Sequence, residues 1–143
     1  MDMNAIIENF KNVVTKHYVD FHGRARRSEF WWYILVVIVL QVILGIIQSF
    51  INTQILTGLL SLALLLPNLA VSVRRLHDVN RSGWWILLPL APMILAFIFM
   101  FMFQLTIAGI FGLITLATWI LLIYWYVQPG TAGQNPYGPD PKK

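Results

Sequence analysis

The most prominent feature of this chain is a set of long hydrophobic runs separated by short polar and basic segments. No Asp, Glu, Lys or Arg lies between Glu29 and Arg74, and none lies between Arg81 and Asp140. A charge at the centre of a bilayer costs at least about 2.5–3.5 kcal/mol on insertion scales, whereas a water-soluble core does not require such long charge-free runs. The pattern therefore predicts an integral membrane protein.

These hydrophobic runs predict four membrane-spanning helices. About 20 residues at 1.5 Å per residue cover a hydrocarbon layer of about 30 Å, so each long run holds two spans. The run after Arg81 should turn near residues 104–106, and the earlier run divides at an uncharged polar connection, residues 49–54. We therefore expect an all-α membrane protein of two helical hairpins, with spans at about 30–50, 55–73, 84–103 and 107–127.

Several residues inside the spans predict local detail. Pro67 should kink the second span by removing a backbone hydrogen bond, and Pro89 and Pro92 should make the first half of the third span irregular. Gln41 and Ser61 lie at about the same depth, roughly 16–18 Å from the basic ends of their spans. A hydrogen bond between these two side chains should therefore join the first and second spans.

The two ends of the chain lie outside the spans. Residues 4–19 predict a short amphipathic helix on the cytoplasmic surface, either lying in the membrane interface or packed on the protein itself. Residues 128–143 are rich in Pro and Gly and predict a cytoplasmic tail that is either disordered or extended along that surface. Residues 1–127 then form a single membrane domain. The apolar face of the N-terminal helix consists of Ile6, Ile7, Phe10, Val13, Val14 and Tyr18.

The basic residues predict the orientation of the chain. All ten precede the first span, separate the second from the third, or follow the fourth, and the other two connections carry none. Basic residues concentrate on the cytoplasmic side, and an even number of spans returns the chain to that side. We therefore expect both termini in the cytoplasm, with no cleavable signal at the polar N-terminus. The ten residues are Lys11, Lys16, Arg24, Arg26, Arg27, Arg74, Arg75, Arg81, Lys142 and Lys143.

Composition narrows the classes of function. Of the 143 residues, 58% are hydrophobic and only 11% charged, about half the charged share of soluble proteins. The absence of cysteine excludes disulfides, thiolate metal sites and cysteine nucleophiles. His17, His22 and His77 lack the spacing of metal ligands, and no cofactor motif is present, so we expect neither a metal nor a cofactor. The basic residues flank the hydrophobic runs, which favours anionic lipid head groups over nucleic acid as partners.

Two segments that precede spans are similar to each other. In residues 27–32 and again in residues 81–85, a basic residue is followed by a serine and then by two tryptophans. Ser28 and Ser82 should cap the helices that follow, with Glu29 favourable in the first turn, and the tryptophans suit the head-group level. The similarity has two possible origins. Any span that starts on the basic side favours a cap, a cation and interfacial tryptophans, or the two hairpins form a parallel repeat.

Three separate motifs are distributed over nearly the whole length of the chain. They consist of Phe21, Gly23, Arg24, Arg27, Ser28, Glu29, Phe30, Trp31 and Trp32; then Arg74, Arg75, Leu76, His77, Asp78, Arg81, Ser82, Gly83, Trp84 and Trp85; then Gly133, Asn135, Pro136, Tyr137, Gly138, Pro139, Asp140 and Pro141. Together the motifs resemble Domain of Unknown Function family 805, a family of small bacterial inner-membrane proteins. The resemblance implies a bacterial inner membrane and a small multi-span fold, and it implies no activity.

All three motifs fall on the predicted cytoplasmic face, where six arginines meet two carboxylates. In one hypothesis Glu29 and Asp78 pair with arginines of the other hairpin and lock the helices together. In the other, the surplus arginines hold a phosphate of a lipid head group or of a phosphorylated ligand. The six arginines are Arg24, Arg26, Arg27, Arg74, Arg75 and Arg81.

The function favoured by these patterns is non-enzymatic. We expect a membrane scaffold or accessory protein whose Arg/Trp face binds anionic lipid or a protein partner, with a homo-oligomer as a further candidate. One alternative is an oligomeric pore or small-solute transporter, although the spans contain no ionisable residue of the kind that ion-coupled transport uses. Another is a lipid head-group enzyme that uses His77 and Asp78.

Overall fold

The computed structural model describes residues 2–142, and all of its regular elements are helices. The order along the chain is α1 (Met3–Thr15), α2 (Arg27–Phe50), α3 (Leu56–Ala63), α4 (Leu65–Asp78), a 3-10 helix (Gly83–Leu87), α5 (Leu90–Phe101) and α6 (Leu105–Val127).

Three helical segments are long and apolar enough to cross a membrane. They are α2, the 3-10 helix together with α5, and α6. The pair α3 and α4 also passes this test, but the two helices are bent by 47° where they meet. The chain therefore has three membrane-length helices, or four if the bent pair forms one span.

The bend between α3 and α4 has a local cause. Pro67 lies in the first turn of α4 and has no N–H, so the carbonyl of Ala63 loses its usual helical partner. The hydroxyl of Tyr18, just after α1, donates to that carbonyl at 2.6 Å. The predicted kink at Pro67 is confirmed, and a side chain from outside the helix satisfies the acceptor that the kink leaves.

The segment predicted as the third span is irregular where its prolines lie. It begins as the 3-10 helix and becomes α-helical only from Leu90, directly after Pro89. Helices α5 and α6 lie side by side and contact each other far more than they contact the remaining helices. Their connection, residues 102–104, comes slightly earlier than the predicted turn.

One end of the helices contains nearly all of the buried core. We call it the basic end, because it carries residues 24–27, 74–81 and 125–128. Most residues of the opposite halves of the helices are exposed within the chain, as lipid-facing side chains are. The core cluster comprises Val13, Ala25, Phe30, Tyr33, Val71, Leu76, Leu122, Trp125 and Tyr126.

The N-terminal helix packs on the protein itself. Asp2 caps α1 by accepting a hydrogen bond from the N–H of Ala5 at 2.8 Å. Val13 is fully buried, and Phe10 stacks on Tyr33 of α2 with ring centroids 5.6 Å apart. These contacts favour the second of the two alternatives for this helix.

The two serine caps predicted from the sequence have different outcomes. Ser82 does cap the 3-10 helix, since its Oγ accepts from the N–H of Trp84 at 3.3 Å. The prediction for Ser28 is wrong, because α2 begins at Arg27, with Arg26 in the cap position and no side-chain cap. The N–H of Ala25 donates to the carbonyl of Arg74 at 2.9 Å, so a tertiary contact holds the chain just before α2.

The predicted hydrogen bond between Gln41 and Ser61 is confirmed. Gln41 Nε2 donates to Ser61 Oγ at 2.9 Å. A second polar pair, Gln48 Nε2 to Thr57 Oγ1 at 3.2 Å, lies nearer the connection between α2 and α3. Each of these side chains thus finds a partner within the same pair of helices, as polar groups in hydrocarbon require.

Candidate functional site: the basic end

A buried ion cluster lies at the centre of the basic end. Asp78 is fully buried, and each of its carboxylate oxygens accepts from a different arginine. Arg24 Nε donates to Oδ1 at 3.0 Å, and Arg75 Nη1 donates to Oδ2 at 2.6 Å. Because an isolated buried charge is costly, each of the three groups depends on the other two.

The same two arginines bind the C-terminal segment through its backbone carbonyls. Arg24 donates to the carbonyl of Thr131 at 2.5 Å and to that of Gly133 at 2.6 Å. Arg75 donates to the carbonyl of Tyr126 at 3.0 Å and also to that of Gln128. Every nitrogen of these two guanidinium ions therefore donates at least one hydrogen bond inside the molecule.

The C-terminal segment is ordered and extended across the basic end. The N–H of Thr131 donates to the carbonyl of Asp78 at 2.7 Å, and Asn135 Nδ2 donates to the carbonyl of His77 at 2.9 Å. The ring of Tyr137 stacks on His77 with centroids 4.1 Å apart. A Cβ at Gly130 would overlap the Asp78 carboxylate, so only glycine fits where the chain crosses it.

The end of this segment is held by its own acidic residue. Asp140 accepts hydrogen bonds from the N–H groups of Lys142 at 3.0 Å and Gly133 at 3.1 Å. Both bonds favour the charged carboxylate and lower the pKa of Asp140 below its ordinary value. Pro136 is exposed between Asn135 and Tyr137, at the outside of the turn that Asn135 and Gly138 close.

A second ion pair joins α2 to α4. Arg74 Nη1 donates to Glu29 Oε2 at 2.6 Å, and the Arg74 side chain is only 2% exposed. The Nε and Nη2 atoms of Arg74 are buried and have no hydrogen-bond partner among residues 2–142. Unlike Arg24 and Arg75, this arginine is therefore only partly satisfied by the described chain.

The carboxylates do not pair with arginines from the other hairpin, so that part of the prediction is wrong. Arg24, Arg74 and Arg75, which hold Glu29 and Asp78, all belong to the first half of the chain. The loop before α2 passes over the end of α4, and this path brings Arg24 to Asp78.

Contacts between the two halves are instead made to backbone carbonyls and aromatic rings. Arg27 donates to the carbonyl of Val127 at 3.0 Å, and Trp31 Nε1 donates to that of Tyr126 at 3.0 Å. The guanidinium of Arg81 lies 4.5 Å from the ring centroid of Trp125. All these contacts lie at the end of α6 that faces α2 and α4.

The six arginines thus separate into two classes. Three are buried: Arg24, Arg74 and Arg75. The other three are exposed, and none of them pairs with a carboxylate within the described chain: Arg26, Arg27 and Arg81. Only this second class can meet an external anion without giving up an ion pair.

The four motif tryptophans also differ in exposure. Trp31 and Trp32 are half-buried, whereas Trp84 is 80% exposed and Trp85 is 41% exposed. Trp85 lies edge-on to Trp125, with centroids 5.5 Å apart. The indole of Trp84 is thus available to lipid or to a partner.

His77 and Asp78 do not act together. Both carboxylate oxygens of Asp78 accept hydrogen bonds from arginines. His77 Nδ1 lies 2.9 Å from the carbonyl of Gly23, which has a positive φ of 85°. A carbonyl can only accept, so Nδ1 carries the proton and Nε2 of a neutral His77 is an acceptor. An acid–base pair of these two residues has no geometric support.

The surroundings of the remaining histidines differ from those of His77. His17 Nδ1 lies 2.7 Å from Asp20 Oδ2, and no group of three potential ligands comes together in residues 2–142. Burial alone would raise the pKa of Asp20, but hydrogen bonds from His17 and from the N–H of His22 outweigh it, so the pKa lies below its ordinary value.

A groove of about 610 Å³ opens beside this network, between α4 and the 3-10 helix. Its walls are mostly apolar, and two of the lining residues pack closely, since a Cβ at Gly83 would lie 2.6 Å from Val73 Cγ1. The lining residues are Phe21, His22, Leu69, Val73, His77, Ser82, Gly83, Trp84, Ile86, Leu87 and Tyr137.

Comparison with known proteins agrees with the three motifs that surround this network. Residues 18–139 match the model of a family described as "Protein of unknown function (DUF805)". The chain belongs to this family. Similar DUF805 relatives are the inner membrane protein YhaH of Escherichia coli K12, 38% identical over 135 residues, and YhaI of the same strain, 37% identical over 131 residues.

Both relatives match over almost their whole length. The alignments cover 90% of this chain, with 93% of YhaH and 92% of YhaI. No solved structure matches the chain. DUF805 membership therefore supports an inner-membrane protein, and the geometry of the basic end has to be interpreted from this chain alone.

Sequence reasoning identified most DUF805 motif residues of the site but missed several of their partners. Asn9, whose Nδ2 donates to the carbonyl of Glu29 at 3.0 Å, and Gly130 were not singled out. The carbonyl acceptors of residues 126–138 have no side-chain signature. The density of Gly and Pro in the tail was the one available signal that its backbone must lie close to other groups.

Proposed function

We propose that this protein is a non-enzymatic scaffold of the bacterial inner membrane whose basic face binds anionic phospholipid. In this proposal the bent pair α3 and α4 forms one span, so that the chain crosses the membrane four times as two hairpins. The even number of spans then leaves both termini, and all ten basic residues, in the cytoplasm.

The exposed class of arginines carries this proposal. Arg26, Arg27 and Arg81 lie at the same end of the helices, exposed and without carboxylate partners in the described chain. A basic residue near an anionic membrane surface is attracted by about 1 kcal/mol, and exposed Trp84 and Trp85 suit the adjacent head-group layer. Three such arginines together favour anionic over zwitterionic lipid.

The enzyme alternative has less support than the scaffold. Lipid head-group chemistry by His77 and Asp78 would need a carboxylate that can orient the imidazole. Both oxygens of Asp78 already accept from guanidinium groups, and the residue is fully buried.

The lipid proposal can be tested by fluorescence quenching with brominated lipids. The native protein in liposomes should favour phosphatidylglycerol over zwitterionic phosphatidylethanolamine, and added salt should weaken that preference because the interaction is electrostatic. The triple substitution Arg26→Gln, Arg27→Gln, Arg81→Gln should bring the preference close to one. A triple substitution of Lys11, Lys16 and Lys142 by Gln removes the same charge elsewhere and serves as the control.

Two outcomes would contradict the lipid proposal. If the arginine variant keeps the native preference, these three residues do not bind anionic lipid. If both triple variants lose the preference equally, net charge alone is responsible and the basic face has no special role.

The proposed topology has its own test, because the chain contains no cysteine. Single cysteines at Asn80 and Gln134 should react with a membrane-impermeant maleimide only from the cytoplasmic side. Cysteines at Asn52 and Leu105 should react only from the opposite side. Labelling of either of the latter two positions from the cytoplasm would overturn the four-span arrangement.

A further inference from the structure

We propose that the groove between α4 and the 3-10 helix is a binding site for one phospholipid whose head group carries an N–H or O–H donor. This inference rests on the proposed function only for the position of the basic end at the membrane surface. Of the three exposed arginines only Arg81 adjoins the groove, and the preference for a donor-bearing head group does not depend on it, so each proposal can fail without the other.

The walls of the groove require an apolar occupant. Leu69, Val73 and His77 follow one another at intervals of four residues, so they form a stripe about 12 Å long on one face of α4. Ile86 and Leu87 of the 3-10 helix also line the groove. A volume of about 610 Å³ lies within the usual range of about 300–1,000 Å³ for small-molecule sites.

The polar groups of the groove lie at the end of that stripe. Of the stripe residues, only His77 at the end of α4 is polar, and His22, Ser82 and Tyr137 supply the remaining polar lining. Tyr137 is stacked on His77, so these two rings meet at the same end. An amphiphile would therefore place its chain against Leu69 and Val73 and its head group against His77.

The hydrogen bonds already made determine what the head group must offer. His77 donates its Nδ1 proton to Gly23, which leaves Nε2 as an acceptor that needs a donor from the ligand. Ser82 Oγ accepts from the N–H of Trp84, which leaves its O–H free to donate. A phosphate oxygen beside a hydroxyl or ammonium group satisfies both requirements.

Charge selects a phospholipid over an uncharged amphiphile. Arg81 is exposed and directly precedes Ser82, and His22 lines the same groove. A lipid phosphate at this end would meet a cation and O–H donors. Phosphatidylglycerol and phosphatidylethanolamine carry the donor that His77 Nε2 requires, whereas the quaternary ammonium of phosphatidylcholine does not.

Native mass spectrometry of the full chain tests the site. The protein is equilibrated with equal amounts of phosphatidylglycerol, phosphatidylethanolamine and phosphatidylcholine that carry identical acyl chains. We expect one retained lipid per protein, with about three- to tenfold preference for each donor-bearing lipid over phosphatidylcholine, as one added hydrogen bond provides.

Two matched substitutions on α4 locate the site. Leu69→Trp fills the groove and should abolish the retained lipid. Leu65→Trp introduces the same side chain one turn earlier, at a 50% exposed position outside the groove, and should leave retention unchanged. Retention by the Leu69→Trp variant would overturn the proposed site.

A third substitution tests the head-group chemistry. His77→Phe keeps an aromatic ring for stacking on Tyr137 but removes the Nε2 acceptor, together with the Nδ1 donor to Gly23, so lipid should still bind while the preference over phosphatidylcholine disappears. Equal retention of all three lipids by the native protein would overturn the requirement for a donor. The Arg26, Arg27 and Arg81 triple variant should keep its preference for donor-bearing lipids, which separates this result from the test of the scaffold.

Discussion

The basic end and the opposite end of the helices are held together in different ways. At the basic end, buried Arg24, Arg75 and Asp78 form a hydrogen-bonded ion cluster, and most of the buried apolar side chains lie at the same end. At the opposite end, Phe50 and Phe103 are 86% and 88% exposed. Polar contacts between α2 and α3 are confined there to two side-chain pairs, of which Gln41 with Ser61 is one.

This difference follows from the two solvents that the molecule meets. Lipid tails are as apolar as leucine, so helices gain little from burying apolar side chains against one another inside the membrane. At the basic end, the fold buries charges and backbone carbonyls away from water, so they must find partners inside the protein. We infer that the arrangement of the helices is specified mainly at the basic end. The following substitutions test that inference.

The largest effect is expected from Asp78→Ala. It leaves the guanidinium groups of Arg24 and Arg75 buried without their counter-ion, and breaking a buried pair in this way costs about 3–5 kcal/mol. The free energy of unfolding in mixed detergent micelles measures the loss. Glu8→Ala, which removes an exposed carboxylate from α1, should change that free energy by less than about 0.5 kcal/mol. Equal effects of the two substitutions would contradict the inference.

One chemical change applied at both ends compares them directly. Gly130→Ala should cost about 1–3 kcal/mol, because the new Cβ overlaps the Asp78 carboxylate and the chain must shift. Gly112→Ala on α6 meets open space and should stabilise its helix by up to about 1 kcal/mol. Limited proteolysis should cleave the C-terminal segment faster only in the first variant; unchanged cleavage would mean that this segment is not held by its contacts with Asp78.

A smaller effect is expected from Arg74→Met. The substitution removes one charge-assisted hydrogen bond to Glu29, but it also removes two buried nitrogens that have no partner in the described chain. Glu29 remains partly exposed and can be solvated, so we expect a loss of about 1–2 kcal/mol in unfolding free energy. A loss as large as that of Asp78→Ala would indicate that Arg74 has a further partner.

The smallest effect is expected at the opposite end. Gln41→Leu removes the hydrogen bond to Ser61, and such bonds in membrane helices contribute about 0.6 kcal/mol on average. The double-mutant cycle with Ser61→Ala isolates this energy from other effects of the substitutions. A coupling above about 2 kcal/mol would show that the opposite end also specifies the fold.

Much of the fold could be predicted because the bilayer acts on each segment separately. The charge-free runs, the kink at Pro67 and the irregular start of the predicted third span depend on residues close together in the chain. The pairing of Gln41 with Ser61 required only a count of residues along two adjacent helices. The candidate site was predicted in outline, because the basic motifs all border the same ends of the helices.

The partners within that site could not be predicted, because they depend on the path of the chain between helices. Ser28 was expected to cap α2, yet the contact of Ala25 with Arg74 determines where that helix begins. Arg24 was one of six arginines expected either to pair with a carboxylate of the other hairpin or to hold a phosphate, yet it binds Asp78 of the same half of the chain and the carbonyls of the tail.

The sequence by itself determined which segments are apolar enough for lipid and which end of the helices is basic, because hydropathy and charge are properties of each segment. Only the tertiary structure decided which arginines are buried and which remain exposed. Backbone carbonyls are the main acceptors for Arg24 and Arg75, and every residue has one, so no side-chain pattern can identify which carbonyl a guanidinium will reach.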